Sequence, residues 1–543
     1  MEFADENGLQ TQQPPGTKTS HEHVHDAEMD EKVVQSQPPS YEKTLREQIR
    51  NGSVDENILK HSHDADEALK ALEGRGGRAI ELDEATNKRL LRKIDFHLMP
   101  LLCITYMLNY LDKTTLSYAS VMGIRKDINI TTSQYSWLGS MFYFGYLGFE
   151  YPTNRLLQRL PLGKYSAFNV MMWGIVLSCF AAVSNFGGAV TIRFFLGVFE
   201  ASVTPGFALL TSQWYTKAEQ GTRTGIWFSF NGWAQIVGGL VAYGIAKGVD
   251  HSGAAIAGWK IVFLVTGLVT FVVGVIFWFV IPDNQMNARW LKPEERVLAI
   301  ERIRQNQQGV GNKHWKIYQI REALTDPLSW AFFFYALISD IPNGGLTNFF
   351  SLLIESFGYT AEESLLWGTP GGVVEIVTLC VCLPLGDRYN NRILICGSTL
   401  LICILGMALV VGLPATMPNG RLGGYYLTQA SATSFVALLS LISTNVSGYT
   451  KKTTVAAMYL IGYCTGNIIG PQTFRGDNYV PAEITIIVCW CINIVALLFI
   501  YGYCRLQNKK KAEIRARPGY VKLENQEFLD LTDRENPEFV YRL

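Results

Sequence analysis

The stretch Leu98–Ala119, LMPLLCITYMLNYLDKTTLSYA, begins as an apolar membrane-spanning helix and then places Asp112 and Lys113 side by side. An ionised side chain near the centre of such a helix costs about 2.5–3.5 kcal/mol on insertion scales. Successive side chains on a helix point about 100° apart, so Asp112 and Lys113 cannot pair well with each other. We therefore expect each to have a partner on another helix or to face a water-filled cavity.

The rest of the composition also indicates a membrane protein. Charged residues make up 17% of the 543 residues, whereas an ordinary soluble domain has about 25%. They concentrate in residues 1–95 and 507–543, and the middle is a succession of apolar runs long enough to cross a bilayer. The pattern predicts an all-α membrane protein with twelve transmembrane helices in two six-helix halves. The spans are expected near residues 96–118, 134–156, 165–184, 188–210, 221–247, 257–281, 327–356, 362–385, 391–414, 422–446, 453–473 and 482–505.

These spans divide the chain into five regions. A disordered N-terminal tail (1–90) precedes the first six-helix half (91–281), and a hydrophilic central loop (282–326) precedes the second half (327–506) and a C-terminal tail (507–543). A surface helix is predicted in the central loop from Pro293 to about Gln305, because proline is favoured in the first helical turn. Six spans, a basic loop and six more spans are typical of a secondary transporter whose site lies between the halves.

The loops differ in charge on the two sides of the membrane. The loops that follow even-numbered spans carry Arg155, Arg159, Lys164, Lys217, Arg223, Arg388, Arg392, Lys451, Lys452 and the basic residues of the central loop. The loops that follow odd-numbered spans carry only Arg125, Lys126, Lys247, Lys260, Arg421 and Arg475. The positive-inside rule therefore predicts that both termini and the central loop are cytoplasmic.

The fourth span supplies partners for the charged pair of the first. Arg193 and Glu200 are seven residues apart, two helical turns, and share one face. We expect Asp112 to pair with Arg193, and Lys113 to face the central cavity with Glu200 nearby. A fixed ion-pair network that only holds the bundle together is the alternative. On the functional interpretation Asp112, Arg193 and Glu200 couple transport to protons, and Lys113 receives an anionic group of the substrate.

Neutral polar side chains in other spans are candidates for substrate binding. They are Tyr110, Tyr143, Asn231, Gln235, Asn343 and Asn467. Asn231 and Gln235 are one turn apart on one helix face. Asn467 lies beside the glycines at 462, 466 and 470, whose spacing is mainly a signal for close helix packing. Asn467 is therefore as suited to a hydrogen bond with a neighbouring helix as to binding a substrate.

The seventh span contains Asp340-Ile341-Pro342-Asn343-Gly344-Gly345. Proline removes a helical hydrogen bond and the glycines loosen what remains, so we predict a break or hinge here. Broken helices in transporters often lie at the binding site or gate. A simple proline kink is the alternative.

Several stretches together resemble one transporter family. They are Tyr110-Leu111-Asp112-Lys113, VMGIRKD from Val121, QYSWLGSMFYFGYL from Gln134, RFFLGVFE from Arg193, IPNGGLTNF from Ile341, SGYTKK from Ser447 and LDLTDRENPEF from Leu529. The chain resembles the major facilitator superfamily, in particular the anion:cation symporter family and its fungal allantoate permease-like branch. The resemblance extends from about residue 90 to the C-terminus.

The resemblance implies a proton-driven importer of small carboxylates such as allantoate, ureidosuccinate or nicotinate-like acids. It assigns proton handling to Asp112 and Glu200 and carboxylate binding to Lys113. It also makes Arg193 the ion-pair partner of Asp112. Relatives outside the fungal branch often have arginine where this chain has Lys113, and lysine is a point charge without arginine's bidentate fork. In the loop after the second span, this chain has Gln158 where the superfamily usually has an acidic residue. The equivalent loop after the eighth span keeps the family's pattern with Asp387 and Arg388.

Other functions and partners remain open from the sequence. A transporter of a vitamin or amino acid such as thiamine or cysteine, a uniporter, and a non-transporting nutrient sensor are the alternatives to an organic-anion symporter. We expect a monomer in the plasma membrane, or alternatively in the endoplasmic reticulum or vacuolar membrane, with no cofactor, no metal and no nucleic-acid partner. Pro38, Pro39 and Tyr41 form a PPxY motif, which predicts binding of a WW-domain ubiquitin ligase.

Overall fold

The computed structural model describes residues 83–253, 256–307, 316–389, 391–476, 478–517, 520 and 531–543, and within these ranges it is helical without strands. The PPxY motif at Tyr41 and the side chain of Asp387 lie outside what the structure describes. The first helix begins at Glu84, inside the region predicted as the N-terminal tail. The all-α fold expected from the apolar runs is confirmed.

The first half contains six helical crossings. They are α1 (Glu84–Val121), α3 (Thr132–Arg159), α4 (Leu162–Cys179), α5 (Phe186–Glu200) with α6 (Val203–Trp214), α7 (Lys217–Phe228) with α8 (Phe230–Ser252), and α9 (Gly258–Val280). A single turn, α2 (Ile124–Asp127), connects α1 to α3. The central loop contains α10 (Pro293–Gln307) and α11 (Ile317–Thr325), and α10 is the surface helix predicted from Pro293.

The second half repeats this organisation. Its crossings are α12 (Pro327–Ser356), α13 (Ala361–Trp367) with α14 (Thr369–Arg388), α15 (Arg392–Gly412), α16 (Pro418–Thr428) with α17 (Ser431–Asn445), α18 (Tyr449–Ile469) and α19 (Val480–Arg515). We call the side of the molecule on which α1 begins and α19 ends the tail side, and the opposite side the far side.

Eight of the crossings are long and apolar enough by composition to span a membrane. The more polar ones are α3, α7–α8, α12 and α18. These helices pack at the contact between the halves: α8 lies on α13 and α14, α3 on α18, and α12 on α1. Because the other half covers part of their surface, these helices do not need to be apolar all round.

The two halves approach most closely where α8 crosses α14. A Cβ atom at Gly232 would lie 2.5 Å from the carbonyl oxygen of Gly372, and a Cβ at Gly372 would lie 2.3 Å from that of Gly232. Small residues at helix crossings allow such backbone contact within a membrane. The glycine pair therefore sets the distance between the halves at this crossing.

Hydrogen bonds between the halves lie toward the far side. The Tyr135 hydroxyl donates to the Asn348 carbonyl at 2.7 Å, and the Ser351 amide donates to Ser117 Oγ at 3.1 Å. Lys247 at the far end of α8 forms an ion pair with Glu362 at the start of α13. The halves are thus joined on the far side, and the central cavity lies between these contacts and the tail side.

The predicted break in the seventh span is wrong. The helix α12 runs continuously through Pro342. A Cβ atom at Gly344 would lie 2.8 Å from the Asn467 Cα, and one at Gly466 would lie 2.3 Å from the Leu337 carbonyl oxygen. The glycines of α12 and α18 therefore allow tight packing, and that packing holds the proline-containing helix together.

Four other crossings are interrupted instead. The interruptions fall at Ala201–Ser202, at Ser229, at Gly368 and at Gln429–Ala430. None of these positions is itself a proline, but Pro205 and Pro370 follow two of them within three residues, and each lacks the N–H that would bond the carbonyl four residues before it. The interruptions in the fourth and tenth crossings occupy corresponding places in the two halves, and residues next to both line the central cavity.

The C-terminal segment is part of the second half. Asp533 is fully buried and lies 2.8 Å from the ammonium group of Lys451, which also contacts Glu322 at 2.9 Å and Asp326 at 2.7 Å. The Tyr541 hydroxyl donates to Asp533 at 2.7 Å, and burial together with the Asp533 carboxylate raises the pKa of Tyr541. Residues 531–543 thus connect the starts of α12 and α18 on the tail side.

The Lys451 cluster gives a test of this arrangement. Lys451→Met should lower the stability of the second half by about 3–5 kcal/mol, because two buried carboxylates, Asp326 and Asp533, lose their shared cation. The measurement is the apparent melting temperature of the detergent-purified protein. The control is Lys452→Met, which removes the exposed neighbouring lysine. Equal melting temperatures for the two variants would show that the cluster does not stabilise the fold.

Candidate functional site

A cavity of about 250 Å³ lies between the two halves. Its walls are mainly aromatic and polar, and its charged lining residues are Lys113 from the first half and Asp340 and Glu375 from the second. The first half contributes Tyr106, Asn109, Tyr110, Lys113, Tyr143, Tyr146, Thr204, Phe228 and Asn231. The second half contributes Ser339, Asp340, Asn343, Thr347, Glu375, Gln429, Ser431, Ala432, Phe435, Leu439, Ala456, Tyr459, Leu460 and Tyr463. A pocket of this size and character suits a small polar metabolite.

Lys113 is held at the cavity wall by two side chains. Its ammonium nitrogen donates to Asn109 Oδ1 at 2.7 Å and lies 3.3 Å from Glu200 Oε2. The Asn109 amide in turn donates to the same Glu200 oxygen at 2.7 Å. Lys113 retains some exposure to the cavity, whereas Glu200 is fully buried behind it. The cation thus faces the cavity while its counter-ion is shielded from it.

Asp112 and Arg193 form a second, deeper pair. Arg193 Nη1 lies 3.7 Å from Asp112 Oδ1, and the Trp173 indole donates to Asp112 Oδ2 at 2.9 Å. Arg193 Nε donates to the Leu138 carbonyl at 3.2 Å. Both charged groups are almost completely buried, so each depends on the other for compensation of its charge.

The two pairs meet at their carboxyl groups. The Asp112 and Glu200 carboxyl groups are close enough to repel each other when both are ionised. Asp112 Oδ1 and Glu200 Oε1 have no hydrogen-bond donor among the described residues. Two carboxylates cannot hydrogen-bond to each other, whereas a protonated carboxyl donates to a carboxylate. The arrangement can therefore hold a proton between the first and fourth crossings.

The second half presents a different polar group to the cavity. Asn467 Nδ2 donates to Asp340 Oδ1 at 3.1 Å, and Asn343 Nδ2 lies 3.4 Å from the same oxygen. Asn343 also donates to Asn467 Oδ1 at 3.0 Å. These contacts fix the orientation of the buried Asp340 carboxyl group at the wall.

Most of the residues expected at the site from the sequence line the cavity. Lys113, Tyr110, Tyr143, Asn231 and Asn343 are among its walls. Asp112, Arg193 and Glu200 lie directly behind the wall, in the arrangement expected from helix geometry.

Two of the expected substrate-binding residues do not line the cavity. The Gln235 amide donates to the Gly368 carbonyl at 3.1 Å and to the Tyr425 hydroxyl at 3.0 Å, so it joins the halves instead. Asn467 lies behind the wall and bonds Asp340 and Asn343. A hydrogen bond to a neighbouring helix was the alternative that the sequence offered for Asn467.

Three polar residues that line the cavity were not among the candidates expected from the sequence. Asn109 is one helical turn before Lys113 and bridges it to Glu200, a relation that the four-residue spacing could have indicated. Asp340 lay in the stretch that was interpreted only as a hinge. Glu375 sits in an apolar span, and an intramembrane carboxyl group is by itself a signal for function.

Comparison with known proteins agrees with this architecture. The family model described as Major Facilitator Superfamily matches residues 102–471. The chain is 38% identical to the allantoate permease of Saccharomyces cerevisiae, over 89% of this chain and 91% of that protein. It is 34% identical to a thiamine pathway transporter of the same yeast, over 83% and 86% respectively. A solved bacterial homologue of the lysosomal transporter Spinster, in an inward-facing and occupied conformation, has the same fold, with a TM-score of 0.57, 17% identity and coverage of 76% and 97%.

The two halves, their central cavity and the charged residues behind its wall define a multi-pass membrane protein built as a secondary transporter. The chain belongs to the major facilitator superfamily, within its fungal allantoate permease-like branch. The similarity to the solved structure supports the fold, and the similarity to the yeast proteins supports the class of activity.

The Asp112–Arg193 pair gives a test of the buried charges. Asp112→Asn should destabilise the protein by about 3–5 kcal/mol, because Arg193 then carries an uncompensated charge inside the first half. The double variant Asp112→Asn with Arg193→Gln should recover most of the loss, since no unpaired charge remains. Thermal unfolding of the purified variants measures both effects. A double variant as unstable as the single one would contradict the pairing.

Proposed function

We propose that the protein is a proton-coupled symporter that imports a small organic anion by alternating access. Allantoate, ureidosuccinate, nicotinate-like acids and related carboxylates form the proposed substrate class. The similarity to a yeast allantoate permease supports this class. The observation that carries the proposal is the contact between Lys113 and Glu200 at the cavity wall.

That contact makes proton binding and anion binding favour each other. While Glu200 is ionised it competes with any substrate carboxylate for the Lys113 ammonium group, 3.3 Å away. A proton on Glu200 removes this competitor, so Lys113 binds the anion more tightly. By thermodynamic linkage a bound anion equally favours the protonated state of Glu200. Proton and anion are therefore taken up and released together.

The buried Asp112–Arg193 pair completes the coupling element. Because the Asp112 and Glu200 carboxyl groups are close enough to repel each other when ionised, a proton on one stabilises the ionised form of the other. Protonation of Asp112 weakens its attraction to Arg193, which belongs to the fourth crossing. The proton then changes the contact between the first and fourth crossings as well as the charge that faces the substrate.

The proposed location is the plasma membrane with the tail side in the cytoplasm. The excess of Lys and Arg in the loops of the tail side supports this orientation. In this orientation the contacts that join the halves lie on the outer side, so the cavity lies toward the cytoplasm. Substrate release into the cell is the step that this arrangement suits.

Glu200→Gln tests the coupling. The variant should lose the stimulation of allantoate uptake by an inward proton gradient, because glutamine cannot bind a proton at the coupling position. Exchange of labelled for unlabelled allantoate should persist, since Lys113 remains and its competitor is neutral. Uptake into cells at acidic and neutral external pH, with and without a protonophore, measures the first effect. Counterflow in proteoliposomes measures the second.

The matched control is Glu150→Gln, which neutralises a buried membrane carboxyl group outside the cavity lining. This control should keep wild-type pH dependence. Proton-gradient-driven uptake that survives in Glu200→Gln would show that Glu200 is not the coupling group.

A cationic substrate is a second candidate. The carboxyl groups of Asp340 and Glu375 line the cavity, and they would attract a cation such as thiamine. One relative is named as a thiamine pathway transporter. Saturable uptake of labelled thiamine without uptake of allantoate would favour this candidate.

We also propose that the PPxY motif recruits a WW-domain ubiquitin ligase that removes the transporter from the cell surface. The motif is Pro38-Pro39-Ser40-Tyr41, and WW domains bind such segments in an aromatic groove. Tyr41→Ala should prolong the surface lifetime, because the tyrosine fills that groove. Microscopy of a fluorescent fusion after a block of protein synthesis measures the lifetime. Unchanged turnover in Tyr41→Ala would exclude the recruitment.

A further inference from the structure

The titratable groups that line the cavity differ between its two halves, with an ammonium group on one and carboxyl groups on the other. Lys113 is the cation of the first half, and Asp340 and Glu375 are the carboxyl groups of the second. Within the described part of the chain, neither carboxyl group forms an ion pair with a lysine or arginine. A substrate in the cavity can therefore contact an ammonium group from the first half and carboxyl oxygens from the second.

Asp340 has an oxygen available for a ligand. Its Oδ1 accepts from Asn467 at 3.1 Å and lies 3.4 Å from the Asn343 amide nitrogen, and these two amides also bond each other. Its Oδ2 has no hydrogen-bond partner among the described residues, although the side chain is only 2% exposed. A buried carboxyl oxygen without a donor is costly, so a ligand that supplies an N–H group gains from binding there.

We propose that Asp340 accepts a hydrogen bond from an N–H group at the end of the substrate opposite its carboxylate. The inference rests on the proposed function, because Lys113 must hold that carboxylate. The cavity then selects anions that also carry a ureido, amide or ammonium group. Glu375 of α14 also lines the cavity and reinforces the preference, because a second carboxyl group disfavours the free end of a plain dicarboxylate.

Aromatic side chains from both halves also line the cavity. The Tyr143 and Tyr463 rings meet edge-to-face with centroids 5.9 Å apart, and one ring comes from each half. Tyr463 also packs against Phe435. These aromatic surfaces offer no competing charge, so the Asp340 carboxyl group and the Lys113 ammonium group decide which ends of a substrate are accepted.

The test uses two acids of the same shape. N-carbamoylglycine carries a ureido group, and levulinate replaces both of its nitrogens by carbon while keeping the carbonyl and the carboxylate. Each acid competes with labelled allantoate for uptake by cells that express wild type, Asp340→Asn or Glu150→Gln. Wild type and Glu150→Gln should prefer N-carbamoylglycine by about tenfold or more, as expected for a hydrogen bond to a charged group.

Asp340→Asn should reduce this preference to below about threefold, because an amide is a weaker acceptor than a carboxylate. Asparagine still accepts from Asn467, so the local packing is retained. Competition by levulinate should change little, since levulinate never used the bond. A preference that persists in Asp340→Asn, or equal competition by both acids in wild type, would overturn the inference.

A further arm separates the inference from the proposed function. Lys113→Gln should weaken both acids alike, by about tenfold or more, because each loses its carboxylate partner. If Lys113→Gln leaves the uptake of labelled allantoate unchanged, and neither acid competes with allantoate for uptake by wild type, the organic-anion function itself is wrong. If both acids bind through Lys113 but Asp340→Asn changes only the pH dependence of uptake, Asp340 carries a proton instead of recognising an N–H donor, and the inference fails alone.

Discussion

The fold depends on compensation of charges that it places inside the membrane. Asp112, Lys113, Arg193 and Glu200 would each be expensive in hydrocarbon, and the structure arranges them as two pairs from the first and fourth crossings. The pairs differ in environment. Arg193 and Asp112 are both buried and serve each other, whereas Lys113 keeps one side open to the cavity. The buried Asp112–Arg193 pair is therefore suited to joining the helices. Lys113 can in addition be reached from the cavity.

The same constraint explains which helices meet between the halves. Polar helices such as α3, α8, α12 and α18 are poorly suited to lipid and gain from covering one another. Their contact leaves a central space whose walls are polar, because the residues that cannot face lipid are the ones that remain there. The central cavity is thus a consequence of the polar faces of these helices meeting between the two halves. The Lys451 cluster on the tail side follows the same principle, with a lysine shared among carboxylates from three segments.

The prediction from sequence succeeded where periodicity and charge were local. The all-α fold, the surface helix from Pro293 and the seven-residue relation of Arg193 to Glu200 all follow from helical repeats. It failed at α12, where Pro342 and the glycines were read as a break. A proline removes one hydrogen bond, but close packing against α18 supplies enough contact to keep the helix continuous. Of the interruptions that do occur, those at Ser229 and at Gln429–Ala430 have no proline in the turn that follows them.

The sequence by itself determined that this chain crosses a membrane many times and that Asp112 and Lys113 have separate partners. These conclusions need only the cost of charge in hydrocarbon and the geometry of one helix. Only the tertiary structure decided that Asn109 bridges Lys113 to Glu200, that Gln235 joins the halves, and that Asp340 lines the same cavity as Lys113. Such relations join helices far apart in the chain. No periodicity within one helix records which neighbour its polar face will meet.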